Sequence, residues 1–352
     1  MSRAQRKKDH IEHALNIGQS GLTGFSDISF VHQSLPNTSL DDINIHTKIG
    51  ELFISSPIYI NAMTGGGGEH TLQINRNLTE VAKHAGIPIA VGSQMAAIKD
   101  AEEKKTFEIV RKYNPNGIVF GNLGSEATVD QAKAAVDMIE ADALQIHLNV
   151  LQELTMPEGD RSFVGALHRI ENIVQSIDVP VIVKETGYGI SKETAELLSG
   201  TGISAIDVGG FGGTNFSSIE NARRNRSLPF FENWGIPTAA SIVEAAQQSI
   251  PVLSSGGIRD SESILKSLVL GAKAVGLSGF FLKILMDDGQ TALLEEISCM
   301  LDELKMMMCA LGANQVQELQ QVPIVISGST YHWLKVRGLS PEQYSTRIPP
   351  RH

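Results

Sequence analysis

Four polar side chains able to form a catalytic site occur within one short stretch of the chain. The segment 143–153 reads ALQIHLNVLQE and contains His147, Asn149, Gln152 and Glu153. An imidazole can transfer a proton, amides can orient a substrate, and a carboxylate can bind a cation. The alternation of apolar and polar residues predicts a β-strand with one polar face. That face is either open to water or part of the wall of a reaction site.

A second candidate group is Lys184, which ends the apolar run 180–184. A lysine with apolar neighbours can be a Schiff-base nucleophile with a lowered pKa, or a fixed cation beside a bound anion. It can also simply pair with a carboxylate inside the fold. Because an unpaired charge among apolar residues costs free energy, we expect Lys184 to have a functional role.

Glycine-rich segments follow three other apolar runs, at 209–215 (GGFGGTN), 255–259 (SGGIR) and 278–279 (SG). Glycine allows backbone N–H groups to approach an anion closely, and a helix N-terminus adds a favourable dipole. The three segments therefore predict a phosphate site, with tight turns as the alternative interpretation. Since no GxGxxG motif follows a predicted strand, we do not expect a Rossmann-type dinucleotide site.

Apolar, β-branched segments that recur along the chain are the elements that must position these groups. The eight predicted strands are 57–63, 87–93, 117–123, 143–150, 180–186, 203–210, 251–257 and 273–279. Segments of helical period separate them, among them 72–86, 126–141 and 260–272. This alternation predicts an α/β fold, and eight units predict a closed (β/α)8 TIM barrel. The strands of a closed barrel have no wet face, so we expect His147 and Asn149 at the barrel mouth.

The domain organisation follows from where the predicted barrel begins and ends. We predict a single catalytic domain with an N-terminal extension at 1–56, the barrel at 57–312 and a C-terminal tail at 313–352. An insertion at 211–237 separates the sixth strand from its helix. Its mixture of aromatic and basic residues is typical of a lid over a site.

Composition and charge exclude several classes of protein. A formal net charge of −10 argues against nucleic acid or an anionic membrane as the main partner. The two cysteines, Cys299 and Cys309, fit no metal or redox motif and favour a reducing compartment. The first residues do not resemble a signal peptide, and no apolar stretch is long enough to span a bilayer. We therefore expect a cytoplasmic protein.

Motifs spread along the chain in a fixed order resemble type II isopentenyl diphosphate isomerase. The resemblance extends from residue 3 to the segment 278–283, and the combination of HLNxxQE with GGTNF makes it specific. Members of this family are flavin-dependent TIM-barrel enzymes that interconvert isopentenyl and dimethylallyl diphosphate. The segments that carry the resemblance are 3-RAQRKKDH-10, 62-AMTGG-66, 92-GSQ-94, 121-GNLG-124, 145-QIHLNVLQE-153, 183-VKETGYG-189, 209-GGFGGTNF-216, 255-SGGIR-259 and 278-SGFFLK-283.

The resemblance implies FMN as a cofactor and assigns residues to it. One group would line the flavin ring, with Lys184 beside its N1–C2=O edge, and a second group would hold the FMN phosphate. The ring group is Ala62, Met63, Thr64, Ser93 and Asn122. The phosphate group is Thr214, Gly257, Ile258, Arg259, Ser278 and Gly279.

The resemblance also assigns residues to a diphosphate substrate. His147, Asn149 and Gln152 would face the substrate, and Glu153 would take the Mg²⁺ bound to its diphosphate. The basic residues of the N-terminal motif would close over the diphosphate from the same or a neighbouring subunit, and we expect a homo-oligomer. These residues are Arg6, Lys7 and His10. Considered without the resemblance, Arg6 and Lys7 are typical of a solvated helix face.

The reaction implied by the family adds one proton and removes another, so substrate and product have the same oxidation level. Reduced FMN would supply the proton-transfer groups after reduction by NADPH. Gln152 would position the alkene, and Lys184 would stabilise the anionic reduced flavin. We count Gln152, His147, Asn149 and Lys184 as the candidate catalytic residues.

Three other functions stay open. The first is an FMN-dependent oxidoreductase of the 2-hydroxyacid oxidase or inosinate dehydrogenase type, although neither cysteine lies near a strand end, as the inosinate type would require. The second is an aldolase in which Lys184 forms a Schiff base, which a visible flavin spectrum would exclude. The third is a barrel without catalytic activity that only binds a ligand.

Overall fold

A closed barrel of eight parallel strands forms the centre of the computed structural model, which describes residues 21–350. Strands adjacent in the chain are adjacent in the barrel, and the last strand pairs with the first. The predicted (β/α)8 TIM barrel is confirmed. We label its strands β1 to β8 in chain order: Ile58–Ile60, Ile89–Ala90, Val119–Gly124, Ala143–Leu148, Val181–Glu185, Ala205–Asp207, Val252–Ser254 and Ala272–Leu277.

Helices alternate with the barrel strands and cover them with their apolar faces. In Gly68–Ala85, for example, Ile74, Leu78 and Val81 recur at helical spacing and are buried. The main helices are Gly68–Ala85, Lys105–Tyr113, Val129–Ile139, Ala166–Val174, Lys192–Ser199, Thr238–Ala245, Ser261–Leu270 and Gly289–Leu311. The remaining α-helices of the described residues are Met95–Lys99, Val150–Thr155, Phe216–Ala222, Gly279–Asp287 and Gly328–Val336.

The interior of the barrel is filled with apolar side chains toward the amino ends of the strands. Inward-facing residues such as Phe120, Ile182 and Leu253 form one buried cluster. A hairpin of Thr47–Ile49 and Leu52–Ile54 contributes to the same cluster. Because the core occupies this end of the barrel, the carboxyl ends of the strands are left to form a site.

Segments before and after the barrel pack against each other. Strand Ile28–Phe30 pairs antiparallel with Ile324–Ile326. Asp27 joins the same region, since its carboxylate accepts hydrogen bonds from the backbone N–H of Thr330 at 2.8 Å and the hydroxyl of Ser329 at 2.9 Å. Residues 27–30 and 324–330 therefore pack together outside the barrel.

The insertion at 211–237 contains the helix Phe216–Ala222 and a 3-10 helix at Pro229–Asn233. Its aromatic residues do not form a core. Phe230 and Trp234 remain 53% and 55% exposed, and the ring of Phe231 contacts both of them edge-on. No helix within residues 21–350 has the length and apolarity needed to cross a membrane.

Candidate active site

A cavity at the carboxyl ends of the strands is lined by residues from all eight βα units. The residues expected beside a flavin ring all line it: Ala62, Met63, Thr64, Ser93, Asn122 and Lys184. Most of those expected at a phosphate line it too: Thr214, Gly257, Ile258, Ser278 and Gly279. Arg259 does not line the cavity; its guanidinium donates to the carbonyl of Gly212 at 3.4 Å. Arg6, Lys7 and His10 lie outside the described residues.

The polar run that follows β4 reaches the cavity because the chain changes from strand to helix within it. β4 ends at Leu148, and the helix Val150–Thr155 begins two residues later. The turn between them brings His147, Asn149, Gln152 and Glu153 to the cavity wall, although strand periodicity alone would divide such residues between two faces. These residues therefore lie at the mouth of the barrel, as expected.

Glu153 is held as an acceptor by two groups from its own loop. Its Oε1 accepts from the side-chain amide of Asn149 at 2.9 Å, and its Oε2 accepts from the backbone N–H of Asp160 at 2.8 Å. Burial raises the pKa of Glu153, while both hydrogen bonds oppose this rise because they stabilise the carboxylate. The result is a half-buried carboxyl group with a fixed orientation toward the cavity.

Gln152 contacts a buried ion pair that comes from the insertion. Its Nε2 donates to Oε1 of Glu220 at 3.3 Å. Glu220 is fully buried and forms an ion pair with Arg223, whose guanidinium also contacts Glu158 at 2.6 Å. A paired, buried carboxylate of this kind is a strong fixed acceptor, so the amide of Gln152 is held in one orientation.

Lys184 and Glu185 end β5 and are both buried at the cavity. Nζ of Lys184 donates to the backbone carbonyl oxygen of Glu185 at 2.9 Å, and within residues 21–350 it forms no ion pair with a carboxylate side chain. Burial raises the pKa of Glu185 to about 7, although the N–H groups of Tyr188 and Gly187 and the charge of Lys184 favour the carboxylate. The side of the cavity at β5 thus combines a cation with a carboxyl that titrates near neutral pH.

Next to β5, the loops after β6 and β7 lie in backbone contact and leave no room for side chains. A Cβ atom on Gly213 would lie 2.6 Å from the backbone nitrogen of Gly257. Gly256 has φ 108°, and a Cβ there would lie 2.1 Å from the carbonyl oxygen of Gly210. Helix Gly279–Asp287 begins directly after β8, beside these loops. Exposed backbone N–H groups and a helix N-terminus together form the kind of cradle that binds phosphate.

Sequence reasoning missed two groups of residues at the cavity. The ion pair of Glu220 and Arg223 lies in the insertion, where helical spacing three apart was the only signal for it. Buried polar residues beneath the cavity, including Asp207 and Gln145, were hidden within runs interpreted as strands. Among the described residues there is no cluster of three or more histidine, cysteine, aspartate or glutamate side chains that could hold a metal ion.

Comparison with known proteins identifies relatives that match the whole chain. Isopentenyl-diphosphate delta-isomerase from Bacillus licheniformis is 58% identical over 349 residues, which cover 99% of this chain and 100% of that protein. The protein of the same name from Bacillus thuringiensis is 59% identical over 349 residues, with the same two coverages. A family model for FMN-dependent dehydrogenases matches residues 160–325.

Solved structures with a similar fold are more distant in sequence. Flavocytochrome b2 aligns with a TM-score of 0.68 at 17% identity, covering 97% of this chain and 89% of that one. Mandelate oxidase aligns with a TM-score of 0.64 at 18% identity, covering 93% of this chain and 100% of that one. At these identities the likeness concerns the barrel alone.

Proposed function

Because the chain belongs to the isopentenyl-diphosphate delta-isomerase family of enzymes, we propose that it interconverts isopentenyl and dimethylallyl diphosphate at the barrel mouth by adding one proton and removing another. The main support is that His147, Asn149, Gln152 and Glu153 share one cavity with the glycine loops. A substrate with an apolar chain and a diphosphate needs both a shaped cavity and fixed polar groups. This cavity has both.

The glycine loops fit the phosphate of FMN. The loops at Gly213 and Gly257 lie in backbone contact with no room for side chains, and both glycines line the cavity, so backbone N–H groups can reach a phosphate there. We propose that Thr214, Gly257, Ile258, Ser278 and Gly279 hold this phosphate; Arg259, whose guanidinium turns to Gly212, is not part of the wall that would contact it. We propose that Ala62, Met63, Thr64, Ser93 and Asn122 line the ring. FMN reduced by NADPH would supply the proton-transfer chemistry. Buried Lys184 would hold a positive charge beside the ring.

Glu153 fits one ligand position of Mg²⁺. Magnesium commonly binds one or two carboxylates together with substrate phosphates and water. The two hydrogen bonds on Glu153 orient its carboxylate without neutralising it. We propose that Glu153 receives the cation with the diphosphate, and that the raised pKa of Glu153 weakens this binding as the pH falls.

His147, Asn149 and Gln152 would contact the substrate directly. Because Gln152 donates to Glu220, its amide has a fixed orientation, as a residue that positions an alkene requires. We assign Arg6, Lys7 and His10 to closure over the diphosphate, as the motif resemblance implies, and propose a homo-oligomer. The two cysteines, which fit no metal or redox motif, support a location in the cytoplasm. The organisation into one catalytic domain, with a lid at 211–237, is part of the same proposal.

A second candidate function is an FMN-dependent oxidoreductase, which the family-model match at 160–325 favours. The two functions differ in electron flow. An oxidoreductase transfers electrons for every product molecule that it forms. An isomerase adds one proton to the substrate and removes another without net electron transfer, so its flavin has to be reduced only once. Polar groups that can orient an alkene and a metal-bound diphosphate favour the isomerase.

An assay of the purified protein tests the proposed function. With FMN, NADPH, Mg²⁺ and isopentenyl diphosphate, we expect dimethylallyl diphosphate to form, and we expect the rate to fall when Mg²⁺ is chelated. The flavin spectrum of the same sample shows whether FMN is bound and reduced. Absence of product from a protein with bound, reduced FMN would contradict the proposal.

A further inference from the structure

A chain of hydrogen bonds crosses the barrel interior from the end of β6 to His147 on β4. It begins at the carboxylate of Asp207, which accepts from Nδ2 of Asn61 at 2.8 Å. Oδ1 of Asn61 accepts from Nε2 of Gln145 at 3.1 Å, and Oε1 of Gln145 accepts from Nδ2 of Asn122 at 3.1 Å. Oδ1 of Asn122 then contacts Nδ1 of His147 at 2.9 Å. Four of these five residues are at most 3% exposed, so water does not substitute for their partners.

Asp207 is the fixed end of this chain because four donors surround its two oxygens. Oδ2 also accepts from the hydroxyl of Tyr59 at 2.8 Å. Oδ1 accepts from Ser255 at 2.6 Å and from the N–H of Gly209 at 3.2 Å. Burial and the charge of Asp207 raise the pKa of Tyr59 well above its usual value, so the phenol stays a donor. A carboxylate can only accept hydrogen bonds, so every group that contacts Asp207 in this chain must act as a donor.

The direction of every later hydrogen bond follows from that acceptor. An amide donates through nitrogen and accepts through oxygen, so Asn61 must turn its nitrogen to Asp207 and its oxygen to Gln145. The N–H of Ala62 strengthens this orientation by donating to the same Asn61 oxygen at 2.8 Å. Gln145 and Asn122 repeat the orientation in turn. At the far end Asn122 presents an oxygen, which requires a proton on Nδ1 of His147.

We propose that Asp207 is a positioning residue, which acts through Asn61, Gln145 and Asn122 to fix His147 in the form that carries its proton on Nδ1. In the neutral ring Nε2 is then the acceptor nitrogen. The tautomer with the proton on Nε2 alone is disfavoured, because Nδ1 and the Asn122 oxygen would face each other as two acceptors. A buried chain of this kind transmits orientation over several residues, and Asp207 and Gln145 act without lining the cavity themselves.

The fold leaves space for this chain at one glycine of β8. A Cβ atom on Gly276 would lie 2.8 Å from Nδ2 of Asn61 and 2.6 Å from Cζ of Tyr59. The side chains of Asn61 and Tyr59, which both donate to Oδ2 of Asp207, therefore pack against Gly276, which has no side chain. Asn61 belongs to the chain of hydrogen bonds, whereas Tyr59 ends at Asp207, and this difference supplies a matched pair of variants.

The test reads the tautomer directly, by ¹⁵N NMR of histidine-labelled protein with oxidised FMN bound and no substrate. The His147 signals are identified by their loss in His147→Asn, and spectra are recorded at alkaline pH, where the ring is neutral. We expect the wild type to carry the proton on Nδ1. A wild-type ring protonated on Nε2, or a mixture of both forms, overturns the proposal whatever the variants do.

Asn61→Leu and Tyr59→Phe each remove one donor from the same oxygen of Asp207, but only Asn61→Leu cuts the chain. We expect Asn61→Leu to give a mixture of tautomers and Tyr59→Phe to keep the wild-type form. If Asn61→Leu does not fold, Gln145→Leu cuts the chain at its next member and has the same expected result. A wild-type tautomer in the cut variant overturns the role of Asp207.

The consequence for catalysis rests on the proposed function, in which His147 contacts the substrate. We expect kcat/KM of Gln145→Leu, which cuts the chain at a residue outside the cavity wall, to fall about tenfold relative to Tyr59→Phe, the effect of about one hydrogen bond to a reacting complex. Equal values for the two variants would contradict this consequence. Because the NMR measurement needs no substrate, failure of the proposed function leaves the tautomer test intact.

Discussion

The two sides of the barrel mouth are built in different ways. The ends of β3 and β4 and the helix that follows β4 present side chains, whose hydrogen bonds fix their orientation, as for Glu153 and Gln152. Loops after β6 and β7 present backbone, because glycines such as Gly213 and Gly256 allow the two loops to touch. On the first side, a substitution that changes the chemical group but not its size should abolish function. On the second side, a substitution that only adds volume, such as glycine to alanine, should abolish function. Binding and chemistry can therefore be separated by mutation.

Gly256→Ala is expected to have the largest effect. The new Cβ would overlap the carbonyl oxygen of Gly210, and a φ of 108° is strained for alanine. We expect FMN affinity to fall by more than about 3 kcal/mol, with activity lost accordingly. The flavin content of purified protein measures this. Gly200→Ala is the control, because its Cβ would meet its nearest atom at 3.9 Å. Normal FMN content in Gly256→Ala would contradict the backbone cradle.

Glu153→Gln tests the side-chain region with little change in volume. We expect activity to fall by about 2–5 kcal/mol in transition-state free energy while FMN stays bound, since the carboxylate serves the metal. Asp160→Asn removes a neighbouring charge but keeps the backbone N–H that holds Glu153, and should retain most activity. Near-normal turnover of Glu153→Gln, or a wild type indifferent to added Mg²⁺, would remove Glu153 from the metal site.

Glu185 lies between the two regions and allows a test through stability. Its pKa is about 7 in the folded protein, against an ordinary value of 4.5. Between these values the unfolded chain has lost the proton and the folded chain has kept it, so the free energy of unfolding decreases as pH rises through this window. Relative to Glu185→Gln, the wild type should lose about 3 kcal/mol between pH 4.5 and pH 7. Urea unfolding of both proteins at each pH measures the difference, and a constant difference would contradict the raised pKa.

Removal of residues 1–10 should have the smallest effect on the barrel itself. Arg6 and Lys7 would be lost as ligands of the diphosphate, so we expect KM to rise. The loss of one charge-assisted hydrogen bond corresponds to a rise of about tenfold. Circular dichroism and flavin content should be unchanged. Arg6→Ala with Lys7→Ala in the full chain should reproduce the effect. An unchanged KM would contradict this role and favour the alternative interpretation, in which Arg6 and Lys7 belong to a solvated helix face.

Glycine and polar residues at the ends of the apolar runs made the barrel predictable from the sequence. Apolar runs that ended in glycine or polar groups, such as 117–123 and 251–257, gave both the strands and the end of the barrel that carries the site. The turn after Leu148 was harder, because period two continues through Asn149 before the helix begins. Local pattern predicts elements well when the same spacing continues through them.

Contacts between distant segments could not be predicted in this way. The pairing of Gln145 with Asn61 joins residues 84 apart, and that of Gln152 with Glu220 joins residues 68 apart. The sequence pattern can mark an amide such as Gln145 as polar, but it carries no signal for the partner, which is fixed only when the barrel closes. The pKa of Glu185 has the same origin, because burial sets it rather than neighbours in the sequence.

The stoichiometry of reductant to product tests the central claim, that this site moves protons without net electron transfer. Under anaerobic conditions the FMN is reduced once with a measured amount of NADPH, the excess is removed, and isopentenyl diphosphate with Mg²⁺ is added in D₂O. We predict many molecules of dimethylallyl diphosphate per reduced flavin, with deuterium in the product, because substrate and product share one oxidation level. No more than one product molecule per reduced flavin, with the flavin left oxidised, would contradict the account.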